Sequence, residues 1–289
     1  MSMPVNAISP AVSLLIFLLA TNASHAQHHP EVQRFAKEGR ARLASVALAG
    51  NRSTAAVIAG LCRFASQTRI AADQEAWRHS LHASDARRQV FHLIEVPPAA
   101  RGTIRLQFET DDPEIRGSVL RAADFLQRIV SARWLPRSTI RVRVLTPTDP
   151  RPHATRGPDG SCIYVQPGRR AMHIAVHELA HHIEHDHPEV LDASKGFLTR
   201  RARGGPLVPL NALVGSGYDH DEVAYRSNWA ERGGIPYSGK VYGPSMRDAT
   251  ATELISTGLE RLLREPTGFL VEDADYLLFL VLTLQSMPP

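Results

Sequence analysis

The segment that most constrains this chain reads AMHIAVHELAHHIEHDH, over 171–187. It is free of Gly and Pro and long enough for four turns of helix. Residues advance by about 100° each around a helix. With His177 at the origin, Met172, Ala175, Val176, Leu179 and Ile183 fall at roughly 160–260°. His177, Glu178 and His181 share the opposite arc. A helix of this kind must bury an apolar back while presenting two imidazoles and a carboxylate at its front. His177 and His181 are four apart, so their rings stack one turn above the other and both can reach one Zn²⁺ at ~2.0–2.1 Å. Glu178 flanks that position, where it can take a proton from water activated by the metal. The pattern predicts His177 and His181 as zinc ligands and Glu178 as catalytic base. An ordinary His-rich amphipathic surface helix is the competing reading. His182 lies toward the apolar side and reads as structural. His185 lies a further turn on, where a straight helix cannot easily bring a third ligand to a tetrahedral ion.

Catalytic zinc takes three protein ligands and keeps one position open. Glu253 is the preferred third ligand. A helix is predicted over 247–264, with Ala251, Leu254, Ile255, Gly258, Leu259 and Leu262 as its core stripe. Glu253 points the other way, beside Ala249, Ser256, Thr257 and Glu260. Those neighbours are mostly small, which allows a second helix to approach closely. His187 is the competing source. His177, His181 and His187 are spaced as in H-E-x-x-H-x-x-G-x-x-H. The glycine that would turn the chain after the helix is replaced by Glu184, which is strained in the left-handed region. Asp219, Asp221 and Glu222 remain as further acids.

Glu253 and Ser256, as Glu-x-x-Ser downstream of H-E-x-x-H, resemble the gluzincin zinc peptidases. In that family the Glu is the third ligand, and an acid one turn later often orients a ligand His; this chain has Thr257 there. The stretch TELISTGLERLLREPTGFLVEDADY, over 252–276, is similar to the C-terminal part of phage-associated and bacterial metallopeptidases distantly related to the anthrax lethal-factor catalytic domain. The resemblance covers roughly 160–285. It implies an α+β, mostly helical, zincin-like fold, with a small sheet preceding the active-site helix, and peptide-bond hydrolysis.

The rest of the chain fits around that core. Residues 103–109 and 138–145 alternate in polarity and read as strands, and 161–165 reads as a short third strand. Residues 113–135 read as a helix, with Ile115, Val119, Ala122, Ala123, Leu126, Ile129 and Val130 as one stripe and Pro113 suited to its start. Residues 147–160 hold four prolines and two glycines and read as a loop. The Gly-rich stretch 204–243 lies between the two metal-bearing segments and offers Tyr218, His220, Tyr237 and Tyr242 as donors to a developing oxyanion. Tyr242 is the preferred one. The apolar run 276–284 is too short to span a membrane, which takes ~20 residues, and reads as a buried closing helix.

Residues 11–20 are apolar, and no charged side chain precedes Glu31. Ser24-His25-Ala26 has the small-x-Ala form of a cleavage site. A signal peptide over 1–26 and export to the periplasm or medium are expected; an uncleaved anchor or a loose tail are the alternatives. Two cysteines, Cys62 and Cys162, could pair in an oxidising compartment or stay as buried thiols. Residues 27–98 read as a helical region and 99–289 as the catalytic domain. Net charge is +4, and 21% of residues are charged. The Arg runs are short and scattered without an aromatic nucleic-acid motif, so no nucleic-acid partner is expected. The mature chain carries no expected transmembrane span, and its expected partner is a protein or peptide substrate. A non-catalytic zinc scaffold and a zinc hydrolase of non-peptide bonds remain open beside the metallopeptidase.

Overall fold

The computed structural model describes Phe91 and residues 94–285, except 147–150, 159, 203–204, 216, 227–228, 230–234, 267 and 270–272. The expected signal peptide, nearly all of the N-terminal helical region and Cys62 lie outside the described residues. One compact unit runs from Glu95 to Gln285.

The unit is a mixed α/β structure with two small sheets. The first sheet is built around a strand–helix–strand crossover. Strand β1 (Leu106–Phe108) leads into helix α1 (Pro113–Ile129), which returns to β2 (Ile140–Val144), parallel to β1. Asp112 starts α1: its Oδ1 accepts the amides of Glu114 at 2.8 Å and Ile115 at 3.1 Å, and Pro113 occupies a position that needs no donor. The predicted α1 stripe is buried throughout. The helix stops at Ile129 rather than 135, and a 3₁₀ turn over Ala132–Trp134 follows. In β2 the alternation places Ile140 and Val142 in the core, while Arg141 and Arg143 reach Glu109.

The expected loop over 147–160 contains a strand. β3 (His153–Gly157) pairs antiparallel with β4 (Gly160–Val165), and β4 lies parallel to β2. The order β1-β2-β4-β3 makes β3 the outer strand. Its sequence, HATRG, carries no apolar alternation. It extends because β4, with Ile163 and Val165 fully buried, supplies a ladder of backbone partners.

Helix α2 (Ala171–Asp186) follows β4 and packs against α1 and the later helix α5 (Leu254–Arg264). Packing on both sides buries nearly the whole of α2 from Ala175 to Glu184, which removes the surface-helix reading. His182 is fully buried, with Nε2 3.3 Å from the Cys162 carbonyl. Burial lowers its pKa from 6.5 to about 4. Above pH 6.5 the imidazole is neutral in both folded and unfolded chains. As pH falls from there toward 4, only the unfolded chain gains the proton, so about 3 kcal/mol of stability is lost. Urea unfolding of wild type and His182→Gln should show the wild type's advantage shrinking by about that amount across this window. An advantage that is flat with pH would refute the assignment.

Helix α3 (Pro188–Ala202) leads into the Gly-rich stretch 204–243. It contributes three strands to a second sheet, β5 (Leu207–Pro209), β6 (Val223–Tyr225) and β7 (Lys240–Tyr242), and β8 (Ala251–Thr252) completes it, antiparallel in that order. A short helix, α4 (Asn211–Val214), follows β5. Gly239 sets the approach to β7: a Cβ there would lie 2.5 Å from the Tyr225 carbonyl oxygen. β8 also shortens the helix predicted over 247–264, because pairing with β7 keeps Ala251 and Thr252 extended. Helix α6 (Ala274–Gln285) closes the core as expected, burying Tyr276, Leu277, Phe279, Leu280, Val281 and Leu284. It crosses α5 at Gly258, where a Cβ would come within 3.1 Å of both Leu280 and Tyr276. No helix among the described residues is long and apolar enough to cross a membrane.

Candidate metal centre

α2 presents His177 and His181 as its periodicity requires, with ring centroids 5.0 Å apart. Glu253 meets them from the second sheet's end of α5. Its Oε2 lies 3.0 Å from His177 Nε2 and 3.3 Å from His181 Nε2. One ligand atom from each residue falls within 4.8 Å of the others, so this buried group can hold a metal ion. Ligand atoms placed tetrahedrally around an ion at ~2.0–2.1 Å lie about 3.4 Å apart, close to both measured separations.

Glu253 is not on the body of the helix, as the sequence suggested. It is the residue that precedes α5, with φ −96° and ψ 7°. Three sets of contacts fix it there. Its amide donates to the Lys240 carbonyl at 3.2 Å, continuing the β7–β8 ladder. Glu184 of α2 grips the preceding residue, accepting Thr252 N at 2.8 Å and Thr252 Oγ1 at 2.6 Å, with Ser194 Oγ at 2.7 Å. The fully buried Glu253 side chain takes Tyr237 Oη at 2.5 Å and Tyr242 Oη at 2.6 Å on Oε1, and Ser256 Oγ at 2.8 Å on Oε2. The Glu-x-x-Ser spacing therefore serves to anchor the carboxylate. Thr257 hydroxyl donates to the Glu253 carbonyl and reaches no ligand histidine.

The acid that orients a histidine is Glu260, with Oε2 3.2 Å from His177 Nδ1. This leaves Nε2 of His177 for a metal, the arrangement by which carboxylates fix a ligand tautomer. The sequence reading placed Glu260 on the same helix face as Glu253 but gave it no role; its spacing of seven from Glu253 was the available signal.

His187 does not join the cluster. Glu184 sits comfortably in α2, so no sharp turn follows His181, and the helix runs on to Asp186. His187 is buried at its end, with Nε2 3.1 Å from the Leu135 carbonyl and Nδ1 3.3 Å from Arg137 Nη2. The acids Asp219, Asp221 and Glu222 stay apart from it too: Asp219 and Asp221 are exposed, and Glu222 bonds to Lys240 at 2.6 Å. His220 is exposed, and Tyr218 packs against Tyr237 at 5.6 Å.

A cleft of about 430 Å³ opens over the cluster. Its lining includes His177, Glu178, His181, Tyr237, Tyr242, Glu253 and β3 from His153 to Arg156. His185 sits on the lining without joining the cluster. Glu178 is 6% exposed. Burial raises its pKa, with the charges of His177 and His181 opposing. Burial also works against charge on His177, His181 and Glu253, yet their mutual attraction prevails: both histidines are raised and Glu253 is held well below the usual carboxylate range. Lys240 Nζ, 2% exposed, lies 3.8 Å from Glu253 Oε1 and 3.2 Å from Tyr242 Oη, adding a cation behind the tyrosine pair.

Fold and site together define a mixed α/β protein with a His-His-Glu group able to hold a metal ion and a separate buried glutamate in the same cleft. No family model matches the chain, and neither a curated protein nor a solved structure matches it.

Proposed function

We propose that this chain is a zinc-dependent metallopeptidase of the zincin type, with the gluzincin ligand set His177, His181 and Glu253. The observation that carries the reading is the convergence of these three side chains beside Glu178 in a cleft walled by the outer strand β3. Two imidazoles and one carboxylate suit zinc, and three protein ligands leave a position open, as catalytic sites do. A structural site would fill four positions and has no use for a buried Glu178.

Zinc, when bound, would activate a water molecule and polarise a carbonyl. Glu178 would accept the proton of that water and then deliver it to the leaving nitrogen. Burial shifts its pKa upward, the direction that suits a carboxylate that must both take and give a proton. Glu260 would hold His177 in the ligand tautomer, while Tyr237 and Ser256 hold Glu253. Tyr242 is 39% exposed, so its hydroxyl is the one able to leave Glu253 Oε1 and donate to the carbonyl oxygen as charge develops. β3 is the outer strand among the described residues, which favours a peptide over other acyl substrates, because an outer strand can extend the sheet with an added strand.

The test is a peptide-library cleavage assay on the protein carrying one equivalent of zinc. Internal peptide bonds should be cut, a chelator should abolish cutting, and added zinc should restore it. Chelator-resistant cleavage would sink the zinc mechanism. Hydrolysis of acyl esters or amides without any peptide cleavage would move the chain to a zinc deacylase.

A further inference from the structure

Resting on the peptidase reading, we infer that the cleft selects peptides bearing an acidic side chain, and that Arg156 is the residue that selects it.

Arg156 stands on β3 at the cleft wall, with its side chain 47% exposed. Only Nη1 is engaged among the described residues. It donates to the His185 carbonyl at 2.5 Å and pairs with Asp186 Oδ1 at 2.9 Å. Nε and Nη2 are left for a ligand. The anchor is rigid: the Asp186 side chain is 3% exposed, and its Oδ2 accepts the Arg137 amide at 2.7 Å. An arginine on an outer strand can serve simply to discourage edge-to-edge pairing. That role needs a mobile, solvated charge. Here one corner of the guanidinium is fixed to the end of the active-site helix, so less side-chain freedom is lost when a carboxylate docks.

The charge balance of the cleft points the same way. Its lining carries Arg151, Arg156, His153 and His185, and among the described residues its only carboxylates are Glu178 and Glu253, both committed to the site. Arg151 and Lys240 both pair with Glu222, and Lys240 also lies 3.8 Å from Glu253 Oε1. Apart from those two carboxylates, the charged side chains on the described lining are cationic, and such a wall favours an anionic ligand.

The strand geometry says which substrate residue is read. A peptide added to β3 presents alternate side chains to opposite faces of the sheet. Arg156 turns to the face that reaches the last turn of α2. A substrate side chain on that face, along the same stretch of β3, meets the guanidinium; its neighbours in the peptide do not.

The test uses the zinc-loaded Glu178→Gln protein, which should bind without cutting. Labelled short neutral peptides carrying a single Glu, Gln or Lys, moved position by position, are titrated by fluorescence anisotropy. At one position or alternate positions, Glu should bind about tenfold or more tighter than Gln, the scale of a charge-assisted hydrogen bond, and Lys more weakly. Adding Arg156→Gln should erase the difference, and adding Arg156→Glu should invert it toward Lys. Equal affinities for Glu and Gln at every position overturn the inference, and so does a preference that survives Arg156→Gln. The Glu178→Gln series alone decides the matter if a double variant fails to fold. Discrimination in binding with no cleavage by wild type would uphold the acidic selection and overturn the peptidase reading alone.

Discussion

Glu178→Gln is expected to hold one zinc ion per chain as tightly as wild type and to lose hydrolysis almost completely. The two halves of this result come from different facts. Glu178 is not a member of the ligand group, and Gln matches its shape, so His177, His181 and Glu253 keep their arrangement. The amide, however, has no basic oxygen at neutral pH. Losing general acid–base help alone costs ~10²–10⁴-fold. The loss here should exceed that range, because the same carboxylate is needed to generate the nucleophile and then to protonate the leaving amine. Metal content by mass spectrometry and turnover of a cleaved peptide check both halves. Undiminished turnover in Glu178→Gln would remove the base from the mechanism. Loss of zinc would instead make Glu178 part of the metal group.

Glu253→Ala is expected to abolish stoichiometric metal binding, while His187→Ala leaves it intact. Glu253 is fully buried with all its oxygens directed at the histidines, two tyrosines and a serine. Removing it takes away one of three candidate ligand atoms and the carboxylate that His177 and His181 both face. The loss of affinity should be far greater than the ~10–100-fold typical of removing a residue that only orients a ligand. Glu260→Gln supplies that smaller effect for comparison, through His177 Nδ1. His187→Ala should act on stability alone, because His187 bonds to the Leu135 carbonyl at the far end of α2; leaving that buried acceptor unpaired costs about 1–3 kcal/mol. Isothermal titration with zinc ranks the three variants. Zinc retained by Glu253→Ala and lost by His187→Ala would reverse the ligand assignment.

Where the sequence alone succeeded, the information was local. The 3.6-residue period of 171–187 sorts side chains into a buried back and a ligand-bearing front, and it was enough to bring His177, Glu178 and His181 to one place. The same period gave α1 its stripe. Alternation marked β2, and the apolar run 276–284 marked the buried α6. Glu253 was nominated from its small neighbours and its resemblance to a known ligand motif, with His187 left as rival.

The tertiary structure brings Glu253, and not His187, beside His177 and His181. Glu184 of α2 reaches Thr252, 68 residues away, and this clamp places Glu253 at the start of α5 instead of on its body. Glu260 reaches His177 across 83 residues. Glu260's spacing of seven from Glu253 puts the two on one helix face, but neither contact can be read from spacing alone, because each depends on how closely α2 and α5 pack. β3 was invisible for a related reason. Its polar residues and flanking prolines favour a loop in isolation, and only the neighbouring β4 supplies the hydrogen-bond partners that make extension favourable. The cleft wall and the anchored Arg156 exist only once that pairing is made. Local patterns record which face of an element must be buried; which elements meet, and so which distant side chains complete a site, is set by the packing of the whole unit.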